Sequence, residues 1–362
     1  MKQDNTTGPT RREFLKAASL CTSWALFKLP SESAAAEPAL ETTRLKLVRT
    51  TSICQAPQYI GEELLRSEGF TDIQYIAKAS PGEIGKALAS GEADINLHFA
   101  GPLVLALDAD DPIVILSGNH VGCFELFGTD KIRAIRDLKG KTVAVPALGS
   151  PPYVFLSIMA AHVGLDPRKD IHWITRPPAE SMQMLAELKI DAYLGFPPEP
   201  QELRAKKIGH VLVNSVVDRP WSQYFCCMIA GNREFVQKNP VATKRAMRAI
   251  LKAADLCSVK PDQSAQLLVD KGFKTTRQFA LQMMKEIPYG KWRDYDPEDT
   301  LRFYALRLHE AGMIKSSPQK IISQGTDWKF LRELKKELKM PLLIALIPSP
   351  FFIQEYKRVK KS

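Results

Sequence analysis

Cysteine is scarce and unpatterned in this chain, with six in 362 residues. Beyond residue 36 there remain Cys54, Cys123, Cys226, Cys227 and Cys257, an odd set in which no pair has zinc-ligand spacing. That excludes a disulfide-stapled scaffold and leaves no spacing signature for a metal site. Adjacent Cys226 and Cys227 would point to opposite faces of a strand, so buried free thiols are expected there, not a bridge. Also missing are the Gly-Lys-Ser/Thr of a phosphate-binding loop and the Gly-x-Ser-x-Gly turn of a serine nucleophile. No nucleic-acid-binding motif is present, and the apolar runs at both ends are too short to span a bilayer. No catalytic residue, metal or cofactor is therefore expected, and no nucleic-acid partner.

What is present begins with a leader. Lys2, Arg11, Arg12 and Lys16 precede the apolar stretch from Ala17 to Leu29, and Ser33-Ala34-Ala35-Ala36 supplies small residues for a signal peptidase. The paired arginines in Thr10-Arg11-Arg12-Glu13-Phe14-Leu15-Lys16 mark the twin-arginine export route. Residues 1–36 are thus expected to be a removable signal peptide and the mature protein periplasmic. The net charge of +10 is spread along the chain, which suits an anionic solute better than a nucleic acid. Residues 340–362 change character: an apolar run, then Pro348 and Pro350, then a basic end. A read-through or frameshifted end would look like this, as would a tail that touches a membrane surface.

Between these ends, short apolar strands alternate with helical patterns. Leu45–Arg49, Ile73–Ile76, Ala93–Leu97 and Ile113–Leu116 read as strands, separated by helices over Pro57–Ser67, from Pro81 and from Pro102. The alternation restarts at Thr142–Val145 and runs through His172–Ile174, Asp191–Leu194 and His210–Val213. The expected fold is α/β with two lobes, each a mostly parallel sheet flanked by helices. Residues 44–140 would form the first part of lobe 1 and 141–220 lobe 2. Residues 221–339 would return to lobe 1 as a strand over Trp221–Ala230 followed by helical C-terminal segments.

Three stretches carry a resemblance: Gln58-Tyr59-Ile60-Gly61, then Gly82 to Gly91 before Ala93-Asp94-Ile95, and above all Asp137-Leu138-Lys139-Gly140-Lys141-Thr142-Val143-Ala144-Val145. With the order of elements, they make the chain similar to the nitrate/taurine/alkanesulfonate and thiamine-pyrimidine-precursor branch of substrate-binding proteins for ABC importers. The resemblance covers roughly Leu45 to Lys339. It implies the type II periplasmic-binding-protein architecture, a small-molecule ligand in a cleft between lobes, and an ABC permease of the inner membrane as partner. A monomer is expected. An enzyme on the same scaffold, of the pyrimidine-synthase kind, and a ligand sensor for a membrane protein are the other readings. Cys226-Cys227 resembles the cysteine-rich stretch of yeast pyrimidine synthases over two residues only, and no catalysis is carried over from it.

In parallel α/β sheets, ligands sit at the C-terminal ends of strands near helix N-termini. That rule selects the candidate contacts. Ser52 and Gln55 would either bond the solute or cap a helix. Gly101 follows the third strand. Ser150, in Gly149-Ser150-Pro151, would present helix-terminus amides to an anionic group, or close an ordinary turn. Phe99, Tyr153, Phe196 and Tyr224 would wall the cleft or join the core. Glu125 and Glu199, placed in loops, would pair with an amine or aminopyrimidine. His120 would line the site, or be a satisfied structural histidine beside His98 and Cys123.

Overall fold

The computed structural model describes residues 37–338. The expected signal peptide, the twin-arginine stretch and the tail from 340 lie outside the described residues. Ten strands form three hydrogen-bonded sets: β1(Arg44–Arg49) with β2(Asp72–Ala77); β3(Ile95–Phe99), β10(Phe225–Asn232) and β4(Ile113–Val121); and β7(Ile171–Thr175), β6(Lys141–Val145), β8(Ala192–Gly195), β5(Glu125–Gly128) and β9(His210–Asn214). The first two sets belong to one sheet, because β1 and β3 run side by side with side chains bonding across the gap. Asp94 Oδ2 accepts from the Lys46 N–H at 2.7 Å and Asn96 Oδ1 from the Val48 N–H at 2.7 Å. Gln58 bridges the same gap, donating from Nε2 to the Val48 carbonyl (2.8 Å) and accepting from the Leu97 N–H (2.7 Å). Buried backbone groups need partners, and here amide side chains supply them.

The molecule is thus a two-lobed α/β protein with a five-strand sheet in each lobe. The two sheets are joined by the β4-to-β5 and β9-to-β10 connections. Both sheets are mixed. β10 pairs antiparallel with β3 and β4, and β5 pairs antiparallel with β8 and β9. Consecutive parallel pairing of β3 and β4, suggested by the alternation, does not occur, because the returning strand wedges between them. β5 falls within the stretch 44–140 yet lies in the second sheet.

Local chemistry sets the helices. Proline opens eight of the described α-helices at or next to the first position, where its missing N–H has no partner to lose. The long helix Pro240–Val259 buries Ala242, Ala246, Ile250, Ala253 and Cys257, spacings of three and four that keep one face on the helices Ala56–Ile60 and Glu62–Ser67. Its buried charged groups are paired. Asp255 takes Arg293 at 2.7 Å and the Trp292 indole N–H at 3.0 Å, and Arg248 meets Glu68 at 2.7 Å. No helix among the described residues is long and apolar enough to cross a membrane.

Candidate ligand cleft

The strand ends that the rule of α/β sheets singles out do face one another. Phe99 closes β3 in the first lobe and Phe196 follows β8 in the second; their rings lie 5.3 Å apart. Phe124, on the β4-to-β5 connection, completes the group at 5.2 Å from Phe99 and stacks on Phe155 at 4.8 Å. Gly101 explains how close the lobes come. A Cβ there would stand 2.8 Å from Cγ1 of Val154 on the helix Pro151–His162, so only glycine admits this approach. Phe155 and Trp221 also lean on the helix Pro297–Glu310 through Tyr304 and Phe303.

The strands and helices next to these rings also carry buried polar atoms. Ser150 sits at the N-terminus of the helix Pro151–His162 without making a side-chain cap, and its Oγ has no hydrogen-bond partner. Both side-chain polar atoms of Asn119 on β4 are buried and unpartnered, as is Glu125 Oε2. Glu125 opens β5 instead of lying in a loop, and its other oxygen takes Arg204. Arg204 reaches across from the second lobe to Glu286 of the first at 2.8 and 2.9 Å, and Gln201 adds a bond to the same carboxylate at 3.1 Å. This is a latch between lobes. Burial pushes Glu125 up to about 7, with Arg204 opposing and Glu286 adding to the rise.

Other expected contacts have different employment. Gln55 is tied into the first sheet, donating to the Leu97 carbonyl at 2.9 Å and accepting from Tyr59 at 3.1 Å, so its amide does not face a solute. Glu199 is not a loop residue. It opens the helix Glu199–Lys206 and accepts from the Tyr193 hydroxyl at 2.7 Å and the Phe196 N–H at 3.3 Å. Burial raises it to about 7 despite those bonds. Tyr153 turns to Trp173 at 4.8 Å, within the second lobe. Tyr224 stacks on Phe303 at 3.9 Å and 11°, away from the phenyl floor. Ser52 makes no cap; its hydroxyl lies 3.1 Å from Cys54 Sγ.

That contact leads to a group that no residue spacing marks. Donor atoms of Cys54, His120 and Cys227 all lie within 4.8 Å of one another. Cys123 and Cys226 touch beside them, Sγ to Sγ at 2.7 Å. The five described thiols are all buried, as expected for Cys226 and Cys227. His120 is a strand residue of β4 and no isolated structural histidine. Burial works to discharge it, but the neighbouring sulfur of Cys227, then that of Cys54, holds its proton and carries it up to about 10. Cys227 moves the opposite way: burial raises it, and hydrogen bonding from Cys123 brings it below the usual thiol range. His98, in contrast, is pushed down to about 3 by burial alone. Arg204, Glu286 and Asn119 were not anticipated as site residues. Cys54 and Phe124 fall in the strand-end stretches 50–55 and 120–125 but were not singled out there.

The surface depressions lined by Leu107, Arg233 and Gln324 and by Thr129, Leu185 and Gly209 each lie within one lobe and not between the two.

The model of the NMT1-like family matches residues 39–269. The chain belongs to the NMT1-like family. Its match takes in both crossings between lobes, in keeping with the resemblance carried by the second-lobe entry motif. Among relatives, a protein of Brucella abortus named as a binding protein is 26% identical over 180 residues, 49% of this chain and 56% of that protein. The chain therefore spans about half the length of the curated relatives it matches. Among solved structures, the periplasmic nitrate-binding protein NrtA from Synechocystis superposes with a TM-score of 0.69 at 18% identity, covering 86% of this chain and 92% of that one. The alkanesulfonate-binding protein SsuA from Xanthomonas axonopodis bound to MOPS gives 0.64 at 16% identity, covering 80% and 100%. These likenesses establish the periplasmic-binding-protein fold for this family member.

Proposed function

We propose that this family member is an exported solute-binding protein that captures a small organic molecule between its lobes and delivers it to an ABC permease. The observation that carries the proposal is the meeting of Phe99 and Phe196 from opposite lobes; Ser150, Asn119 and Glu125, on the elements that join the lobes or carry these aromatic residues, add buried and unpartnered polar atoms. A solute held between the lobes would give those buried groups partners. The names of the relatives, nitrate- and alkanesulfonate-binding proteins among them, support binding over turnover.

The helix N-terminus at Ser150 favours an anionic group on the solute. The phenyl floor favours a flat organic body, and the free Glu125 oxygen favours an amine, as an aminopyrimidine would supply. A thermal-shift panel of nitrate, sulfonates, aromatic acids and aminopyrimidines tests this. A true ligand at a hundred times its dissociation constant adds about 2.7 kcal/mol, and Phe196→Ala should abolish its shift. A ligand whose binding ignores Phe99→Ala and Phe196→Ala would place the site elsewhere. The leader supports periplasmic delivery by the twin-arginine route. Lysine at Arg11 and Arg12 should strand folded protein in the cytoplasm, and unchanged export would remove that route.

A further inference from the structure

We propose that Cys54, His120 and Cys227 bind a single thiophilic metal ion of the zinc(II) class. The site stands independently of the solute reading. The three donors come from three separately fixed places: the turn after β1, the C-terminal end of β4, and β10. His120 and Cys227 are register partners across the β4/β10 pair, so the sheet itself sets their separation. Cys54 is held from behind, since the Tyr289 hydroxyl donates to its carbonyl at 2.8 Å and the Tyr289 ring packs edge-on to His120 at 5.0 Å. All three donor residues have no exposed surface.

The imidazole supplies the second observation. Its Nδ1 lies 3.0 Å from the Gly122 carbonyl, which can only accept, so Nδ1 carries a hydrogen. Nε2 is buried and has no hydrogen-bond partner. A ring that donates one nitrogen to a backbone carbonyl and keeps the other free is how metal-ligating histidines are oriented.

The donor set selects the ion. Two sulfurs and an imidazole, with no carboxylate in the group, disfavour magnesium, calcium and manganese and suit a soft d10 ion. Zinc–sulfur bonds of about 2.3 Å put tetrahedral ligands about 3.8 Å apart. The observed spread of up to 4.8 Å therefore needs only a small inward movement of the side chains. Cys123 lies beside the group, with its Sγ 2.7 Å from that of Cys226. Each thiol that coordinates gives up its proton to solvent as the ion binds. Opening of the lobes or loading during folding provides the way in.

Cobalt(II) tests the site without knowledge of the solute. The full-length protein, reduced and stripped with chelator, should take up one cobalt per chain with a near-ultraviolet sulfur-to-cobalt band and intense visible absorption, and zinc(II) should displace it. Cys54→Ser and Cys227→Ser should each weaken binding by about tenfold or more, whereas Cys257→Ser, a buried thiol outside the group, should leave it unchanged. The absence of a thiolate band in the unmodified protein overturns the proposal, and so does a band that survives in a folded Cys54→Ser/Cys227→Ser protein. The spectrum of the unmodified chain decides the matter even if the variants fail to fold.

Discussion

The two lobes open with the same joint and then diverge. In the first, Asp94 accepts the Lys46 N–H through its side chain and returns its own N–H to the Lys46 carbonyl, at 2.7 and 2.9 Å. In the second, Asp191 does the same to Thr142, at 2.9 Å for both bonds. From there β8 joins β6 by ordinary parallel pairing, Val143 with Ala192 and Ala144 with Tyr193. β3 never pairs with β1 in this way. Gln58, Asn96 and Gln55 carry the first-lobe seam instead, and it ends beside Ser52 and Cys54, where the thiol–imidazole group lies. A backbone ladder spreads its load over many bonds, while an amide stitch concentrates it in a few side chains. The first lobe should therefore be the more sensitive to single substitutions at its seam.

The largest effect is expected at Gln58. Gln58→Leu keeps the bulk but orphans the buried Val48 carbonyl and Leu97 N–H, and should cost about 3 kcal/mol in a urea titration. A loss under half of that would mean that the seam shares its load as a ladder does. Glu199, buried in the second lobe, gives the next effect. Its carboxyl is raised to about 7 by burial, so the folded state holds the proton more tightly than the unfolded chain. Its contribution to stability is greatest below about pH 4.5 and declines as pH rises towards 7. Glu199→Gln, which keeps an acceptor for Tyr193 and Phe196, should flatten that decline and make the protein more stable at pH 8 by about 2 kcal/mol. Urea titrations at pH 5 and pH 8 with an unchanged slope would contradict this. The smallest effect is expected at Asp191: Asp191→Ala should cost about 1 kcal/mol, because backbone pairing continues beyond it. A cost equal to that of Gln58→Leu would erase the contrast between the lobes.

Much of the fold was legible because strand and helix periods, proline starts and glycine stops are local. The strand at Leu45–Arg49 and the second-lobe entry at Thr142–Val145 were read to within a residue. β5 was missed because Glu125-Leu126-Phe127-Gly128 is short and buried on both faces, so it shows no alternation. The insertion of β10 between β3 and β4 is a long-range pairing that no local pattern encodes. The site was less legible for the same reason. Phe99, Gly101, Ser150 and Phe196 follow from the strand-end rule. Gln55 also satisfies that rule, yet its amide is drawn into the seam, which only the missing β1/β3 ladder explains. The Cys54, His120 and Cys227 group joins three distant segments, so spacing could not reveal it. Nor could spacing show the Arg204–Glu286 latch, whose halves stand on different lobes.

Movement of the lobes is the center of this account. Leu188 in the second lobe and Leu267 in the first are exposed, and the described native thiols are buried, so spin labels can be placed at Leu188→Cys and Leu267→Cys with Cys21 replaced by Ser. Pulsed dipolar measurement of the label separation, with and without a compound that raises the melting temperature, reads closure directly. The account predicts a longer, broader distribution for the free protein that narrows and shortens on binding. A single distribution that no stabilising compound alters would contradict it.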